Sequence, residues 1–465
     1  MSDPVKDPVR FIDERTAAAP LLRSAMRYLF PDHWSFLLGE VALYSFIVLI
    51  GTGIYLALFF DPSTAQTVYH GPYGPLDGQM MSDAYKSVLD ISFSVKAGLL
   101  MRQTHHWAAD VFVASIVVHL MRVFFTGAFR KPRELTWIVG LVILFTALLE
   151  GFLGYSLVDD LLSGMGIAIA YGVALSLPVI GGPLALALWG APFPGKSTFE
   201  SRMYIAHVFL IPALLAILIT VHLALVAARH HTQFRESPRH TERRIVGLPM
   251  FPSQIPRSLG LMFFVAAVLF ALGGLVQINP VWQWGPFHPW LGTNGAQPDW
   301  YLGWLIGALR LMPSFDVTIG HFTLIPNPFW GGVLFPLVVL GVLGTFPWLE
   351  RRLSGDRAIH NLLDRPREAP NRTAFGVAFL SFVFLVFLFG AADRVYVLFD
   401  LTYNVQLFIF RIGIFVIPLA LFFITRRWCR ELSGGELVER VHEQAEQESR
   451  ARHQAVAEAH APAGD

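Results

Sequence analysis

The chain has 465 residues, 54% of them apolar and 15% charged, with a mean hydropathy of +0.51. That balance belongs to a polytopic membrane protein and excludes an ordinary soluble globule. A formal net charge of +1 points to no particular partner, and no nucleic-acid partner is expected. The lone cysteine, Cys429, excludes an internal disulfide, a Cys-x-x-Cys-His haem attachment and a cysteine-held iron–sulfur cluster on this chain.

In chain order, residues 1–30 are mixed and charged, with no apolar core of a signal peptide, so no cleavable leader is expected. Eight segments are long and apolar enough to span a bilayer, near 36–60, 105–127, 136–157, 204–228, 258–278, 329–349, 374–391 and 404–425. Another apolar stretch, 161–190, is broken by Gly164, Gly166, Pro178 and Gly181-Gly182-Pro183 and reads as a helical hairpin at the surface; one additional span is the competing count. The predicted fold is therefore an all-α polytopic membrane protein of eight transmembrane helices. Its expected parts are an N-terminal segment (1–30), a four-helix bundle domain (31–230), a linker (231–257), a C-terminal domain (258–428) with a loop at 279–328, and a tail (429–465). Beyond Arg430 the composition predicts a solvated helix or a disordered tail.

Two of the spans carry histidines in pairs: His105 and His119, then His207 and His222, 14 and 15 residues apart. At about 100° per residue these gaps return to within about 40° and 60° of the starting direction, so each helix shows both rings on one face. At about 1.5 Å rise per residue the two levels lie roughly 21–22 Å apart. A lone histidine in an apolar helix is usually structural, but two pairs with matching spacing describe two His–metal–His sites stacked through a membrane, a layout for two haems. His106 is 13 residues from His119, about 140° away around the helix, so His105 is the better ligand. The first span contains Gly39 and Gly53 and the third Gly140 and Gly154, both with the 14-residue period. Glycine lets a backbone approach a flat haem edge. These four helices predict a four-helix bundle holding two b haems. Arg102, Arg122 and Arg202 flank the histidines and are candidates for pairing with haem propionates, with snorkelling at a helix end the plain alternative.

Basic residues cluster after the second span (Arg130, Lys131, Arg133), the fourth (Arg229 to Arg257) and the sixth (Arg351 to Arg372). By the positive-inside rule both termini face the cytoplasm and the loops at 61–104, 156–203 and 279–328 face outside. The second and fourth spans then run parallel, which levels His105 with His207 near the outer surface and His119 with His222 nearer the inner one.

The loop at 279–328 contains Gln297-Pro298-Asp299-Trp300-Tyr301, a carboxylate beside aromatics that could accept a proton from a quinol hydroxyl. Together with the histidines, the two glycine pairs, Arg102, Arg122, Arg202 and Gly154-Tyr155, this block resembles cytochrome b, the central subunit of respiratory cytochrome bc complexes (complex III). The resemblance covers roughly residues 30–425. Phe30-Pro31-Asp32-His33-Trp34, Arg102-Gln103-Thr104-His105-His106-Trp107 and Asp159-Asp160-Leu161-Leu162-Ser163-Gly164 look like the actinobacterial branch. The 15-residue gap is shared with that branch and with the photosynthetic relatives, where mitochondrial forms have 14.

The resemblance implies a quinol–cytochrome c oxidoreductase of the plasma membrane. Quinol, menaquinol by the likeness to the actinobacterial branch, would bind outside near the outer haem, Gly166, Tyr155, Pro298, Asp299 and Tyr301. One electron would leave to a Rieske iron–sulfur protein and a c-type cytochrome. The other would cross through the outer haem (His105, His207) and inner haem (His119, His222) to a quinone at an inner site, coupled to proton translocation. Candidates for that site are Glu40, His230, His231 and Arg257. The resemblance also implies a homodimer in the lipid membrane and a terminal cytochrome c oxidase as neighbour in a supercomplex. Several positions depart from the family. Asp299 replaces the usual Glu, Val158-Asp159-Asp160 replaces Pro-Trp-Gly, Ile306 replaces a tyrosine, and Arg257-Ser258 replaces Lys-Asp. Leu37 stands where photosynthetic relatives have a haem-attaching cysteine, so no covalent haem is expected. Two other readings share some of these features: a dihaem anchor of another quinone-linked oxidoreductase, and a proton-coupled transporter using intramembrane His and Asp.

Overall fold

Among the described residues, eight helices are long and apolar enough to cross a membrane: Trp34–Ala57, Gly98–Phe125, Glu134–Ser156, Thr198–Arg229, Met250–Leu275, Trp330–Ser354, Pro370–Gly390 and Tyr403–Gly434. This computed structural model describes residues 7–17, 19–236, 238–291 and 298–459, with side chains as far as 434 apart from Val9 and Leu21. Gln297 of the loop motif lies outside the described residues. The spans expose large apolar side chains such as Ile54, Phe209, Ile217, Phe263, Phe264, Phe408 and Phe415. That is the reverse of a water-soluble helix and suits a hydrocarbon solvent. The segment at 161–190 forms two short helices, Leu161–Leu175 and Gly181–Trp189. The last span continues as one helix to Ala459.

The first four spans pack around Phe46, Phe112, Val113, Ile116, Leu144, Ala147 and Leu215. Large side chains fill this centre, so the histidines above and below it occupy separate levels. The fourth span is not a uniform α-helix. Ala206–Leu210 forms a single wide π turn, immediately before Pro212. A π turn takes up about one extra residue. The 15-residue gap from His207 to His222 thereby behaves as 14, and the two rings recover a common face.

The second half closes on the first by small-residue contacts. At Gly273 of the fifth span a methyl group would sit 2.2 Å from Thr104 Oγ1, so only glycine permits this approach to the second span. At the arginine-rich end, Arg133 donates to the carbonyls of Arg229, His230 and His360. Arg372 is buried and binds Glu350 at 3.0 Å and Asp364 at 2.7 Å, and Arg130 also reaches Asp364 at 3.0 Å. Much of the basic charge after the second and sixth spans thus braces the two halves.

Candidate functional site

The His105 and His207 rings face one another with centroids 6.2 Å apart and planes at 84°. Thr52 donates its hydroxyl proton to the Val48 carbonyl at 2.7 Å, so its oxygen is free to accept from His105 Nδ1–H at 2.9 Å. That bond fixes the tautomer and leaves Nε2 with a lone pair for a metal. Glu150 Oε1 lies 2.9 Å from His207 Nδ1. His119 and His222 form the second level and interact electrostatically. His119 Nδ1 is buried without a partner, and His222 is hydrogen-bonded to the backbone of Thr136.

Each of the four glycines lies against one histidine. A methyl group would come within 3.5 Å of His119 at Gly39, 3.2 Å of His105 at Gly53, 3.6 Å of His222 at Gly140 and 2.6 Å of His207 at Gly154. The glycine period repeats the histidine period because each glycine makes room for an imidazole.

The arginines separate. Arg102 donates to the Asn279 carbonyl at 3.1 Å, but its Nε and Nη2 are buried and unpartnered. Arg122 lies 4.1 Å over the Phe36 ring, with Nη2 buried and unpartnered. Both carry the free donors that an anionic group would satisfy. Arg202 is exposed and donates to the Ala187 carbonyl at 3.3 Å. Five residues before His207 places it about 140° around the helix from that ring, so the structure does not bring it to the buried face.

Asp299 is gripped from two sides. His106 Nε2 donates to Oδ1 at 2.8 Å and the Tyr301 hydroxyl donates to Oδ2 at 2.8 Å. Burial alone would push this carboxyl up, but the His106 imidazole and these hydrogen bonds hold it below the ordinary carboxylate value. Tyr301 is itself pushed well up, by burial and then by Asp299. Its hydroxyl fits only because residue 151 is glycine, where a methyl would stand 2.5 Å away. Tyr155 occupies the same kind of space beside Gly166, also 2.5 Å from a would-be methyl. Sequence reasoning missed His106 as a functional side chain. It lies about 100° around the helix from His105, and that turn carries it off the paired-histidine face and onto the loop motif.

At the opposite end Glu40 is fully engaged. Ser258 Oγ donates at 2.7 Å, the Tyr44 hydroxyl at 3.2 Å and Gln254 Nε2 at 3.2 Å. Where the family has Lys-Asp, this chain keeps a carboxylate at Ser258 by borrowing it from the first span. His231 accepts or donates through Nδ1 to the Tyr28 hydroxyl at 2.9 Å and packs against Phe30 at 4.5 Å. Burial, with Arg122 and Arg133 nearby, pushes His231 down to about 4. His230 is exposed and stacks on Tyr28 at 5.3 Å. Arg257 points to solvent and pairs with Asp32 at 3.0 Å.

Residues 110–286 match the family described as cytochrome b(N-terminal)/b6/petB. The cytochrome bc1 complex cytochrome b subunit of Streptomyces coelicolor is 47% identical over 417 residues, covering 90% of this chain and 76% of the relative. The subunits of the same name from Mycobacterium leprae and Corynebacterium diphtheriae are each 47% identical, covering 90% and 91% of this chain and 75% and 78% of theirs. This chain belongs to the cytochrome b subunits of cytochrome bc1 complexes. The fold is similar to that of a chain from a hyperthermophilic respiratory complex III, with a TM-score of 0.64 at 22% identity, covering 90% of this chain and all of that one. This cytochrome b is accordingly a multi-pass membrane component of a respiratory complex III, from a haem b-binding family, and it partners other subunits of that complex.

The residues fit such a group. Two imidazole nitrogens on one metal, each bond about 2 Å, put the ring centroids roughly 6 Å apart, as His105 and His207 are. Among the described residues no three His, Cys, Asp or Glu side chains cluster to hold a bare ion. Paired histidines suit a metal whose remaining positions a macrocycle fills.

Proposed function

We propose that this cytochrome b oxidises quinol at the Asp299 end of the bundle and serves a quinone at the Glu40 end, holding two b haems between them. His105 and His207 would hold one, His119 and His222 the other, with Arg102 and Arg122 meeting their propionates. Bound there, the haems supply one-electron carriage across about 30 Å of hydrocarbon. The observation that carries this reading is the facing pair His105–His207, on a helix whose π turn suits a 15-residue gap to His222.

The chain's own residues supply the proton chemistry. Asp299 is held ionised beside a donor-rich wall, which suits a group that takes a proton from a quinol hydroxyl. Tyr301 and His106 fix both of its oxygens, so the shorter Asp arm is positioned as firmly as a longer Glu would be. Tyr155, with Gly166 against its hydroxyl, lies within electrostatic reach of Asp299, and Pro298 would help to shape the quinol pocket beside it. At the other end Glu40 with Ser258, and His231 with its neighbour His230 beside Arg122, are the groups through which protons would enter. Arg257 serves at the rim.

On the charge pattern, the Asp299 end faces outward and both termini lie in the cytoplasm of a plasma-membrane protein. The expected partners are a Rieske protein, a c-type cytochrome, a second copy of this chain and a terminal oxidase. Purification from membranes tests this. The expected preparation shows a reduced-minus-oxidised b-type spectrum with two haems per chain and co-purifies a Rieske protein and a c-type cytochrome. A colourless preparation, or one haem per chain, would overturn it.

A further inference from the structure

The pair Asp159-Asp160, placed where the family has Pro-Trp-Gly, is the least explained chemistry in the chain. Asp160 is 1% exposed and begins the helix Leu161–Leu175. Its Oδ1 caps that helix by accepting from Ser163 N at 2.8 Å. The cap uses only one oxygen. Oδ2 is equally buried and has no partner. An unpartnered buried carboxylate oxygen is costly unless it carries a proton or meets water.

Asp160 does not stand alone. On one side lies Tyr155, within electrostatic reach of both Asp160 and Asp299. Asp159 follows on the other, its side chain hydrogen-bonded to Ser82. Beyond Asp159 is Glu200, 2% exposed, with Oε1 unpartnered. Glu200 adjoins Ser201, which is exposed and donates to the Pro62 carbonyl. The acids are thus coupled pair by pair, from Tyr155 beside Asp299 through Asp160 and Asp159 to Glu200, whose chain neighbour Ser201 is exposed. The loop at 285–287 seals the flank of Asp159 and Asp160, with Leu161 N bonded to the Gly285 carbonyl and Phe287 N to the Asp159 carbonyl. Arg102 from the second span and Tyr85 from the helix Asp83–Phe93 also face Asp160.

We propose that Asp160, Asp159 and Glu200 form a proton outlet from the quinol pocket to the surface at Ser201. This deepens the quinol-oxidation reading and rests on it. Oxidising one quinol removes two electrons, taken by one-electron iron acceptors of the complex, and two protons. A quinol O–H bond breaks and an O–H bond forms on Asp299. That proton passes by way of the Tyr155 hydroxyl to Asp160 Oδ2, then to Asp159 and Glu200, and is delivered to water. Each carboxyl returns to its starting state, ready for the second proton.

Burial pushes Asp160 up to about 7 against the opposing hydrogen bonds from Ser163, and burial pushes Asp159 up to about 6. An acceptor works when ionised, so quinol oxidation should rise with pH through about 7 in the native complex.

The test is quinol oxidation by the purified complex across about pH 5.5 to 8.5. Asp160→Asn is the informative variant, because Asn caps a helix about as well as Asp while it cannot relay by ionising. It should keep both b-type bands, lose on the order of tenfold in turnover and lose the rise near pH 7. Asp160→Glu should restore part of the turnover and a pH-dependent rise. Glu200→Gln should lower turnover by a few-fold without altering the spectrum. Asp160→Asn turning over as the native complex does, with an unchanged pH profile, overturns the outlet. If Asp160→Asn loses its haem bands, Glu200→Gln decides, and native turnover and pH profile there would overturn it equally. Failure of the underlying reading looks different: the native complex itself would not oxidise quinol.

Discussion

The two histidine levels are built from the same parts and tuned differently. At the Asp299 end the packing is tight. His207 leaves 2.6 Å to a methyl at Gly154, and Thr52 and Glu150 both address the rings. At the Glu40 end the corresponding clearances are 3.5 and 3.6 Å, His119 Nδ1 lacks a partner and His222 is hydrogen-bonded only to the backbone of Thr136. The carboxylates differ in the same way. Asp299 takes its two bonds from a histidine and a tyrosine, both able to exchange protons, whereas Glu40 takes three from serine, tyrosine and glutamine and ties the first span to the fifth. At the Asp299 end the carboxylate sits between two proton-bearing side chains near a closely packed histidine pair, while at the Glu40 end it also bonds the first span to the fifth, beside a pair with more clearance. Ligand type alone does not set a haem's potential, and surroundings this different can separate two bis-histidine sites.

The sharpest contrast comes from the ligands. His119→Ala should halve the b-type absorbance and leave the His105–His207 band, as read by a reduced-minus-oxidised spectrum, while quinol turnover falls to background. Retention of both bands would break the pairing of levels. Next in size are the two carboxylates. Asp299→Asn should cost about a hundredfold or more in quinol oxidation with the spectrum intact. Glu40→Gln should cost far less in that half-reaction, because it removes a bond between helices at the other end. Equal losses would erase the distinction between the ends. The glycines give a smaller effect with a clear sign. Gly154→Ala should destabilise the haem-loaded protein by about 1–3 kcal/mol, seen in haem retention on heating, and Gly140→Ala by much less. The smallest effect belongs to Arg257→Ala, whose exposed pair with Asp32 should be worth under about 1 kcal/mol of thermal stability.

Much of this was legible in the chain itself. Long apolar runs must become helices in a membrane, because no water is present there to satisfy open backbone. Histidine and glycine repeats at 14 residues reveal a shared face because the helical period is fixed. What spacing could not reveal was any departure from that period. The gap of 15 needed a π turn, which depends on local packing near Pro212. His106 and Arg202 show the same limit from two sides. The first lay off the paired face yet reached Asp299, since a residue's partner is set by the element that packs there. The second lay close in sequence yet faces outward, since five residues turn a helix well past its own face.

The chain by itself determined the eight helices, the two histidine levels and the acid in the loop, all consequences of periodicity and of the cost of burying polar groups. Only the tertiary structure decided which imidazole each glycine admits, that His106 and Tyr301 share Asp299, and that Glu40 serves Ser258. Those facts depend on contacts between residues up to 218 positions apart, and no local pattern encodes which distant backbone will arrive.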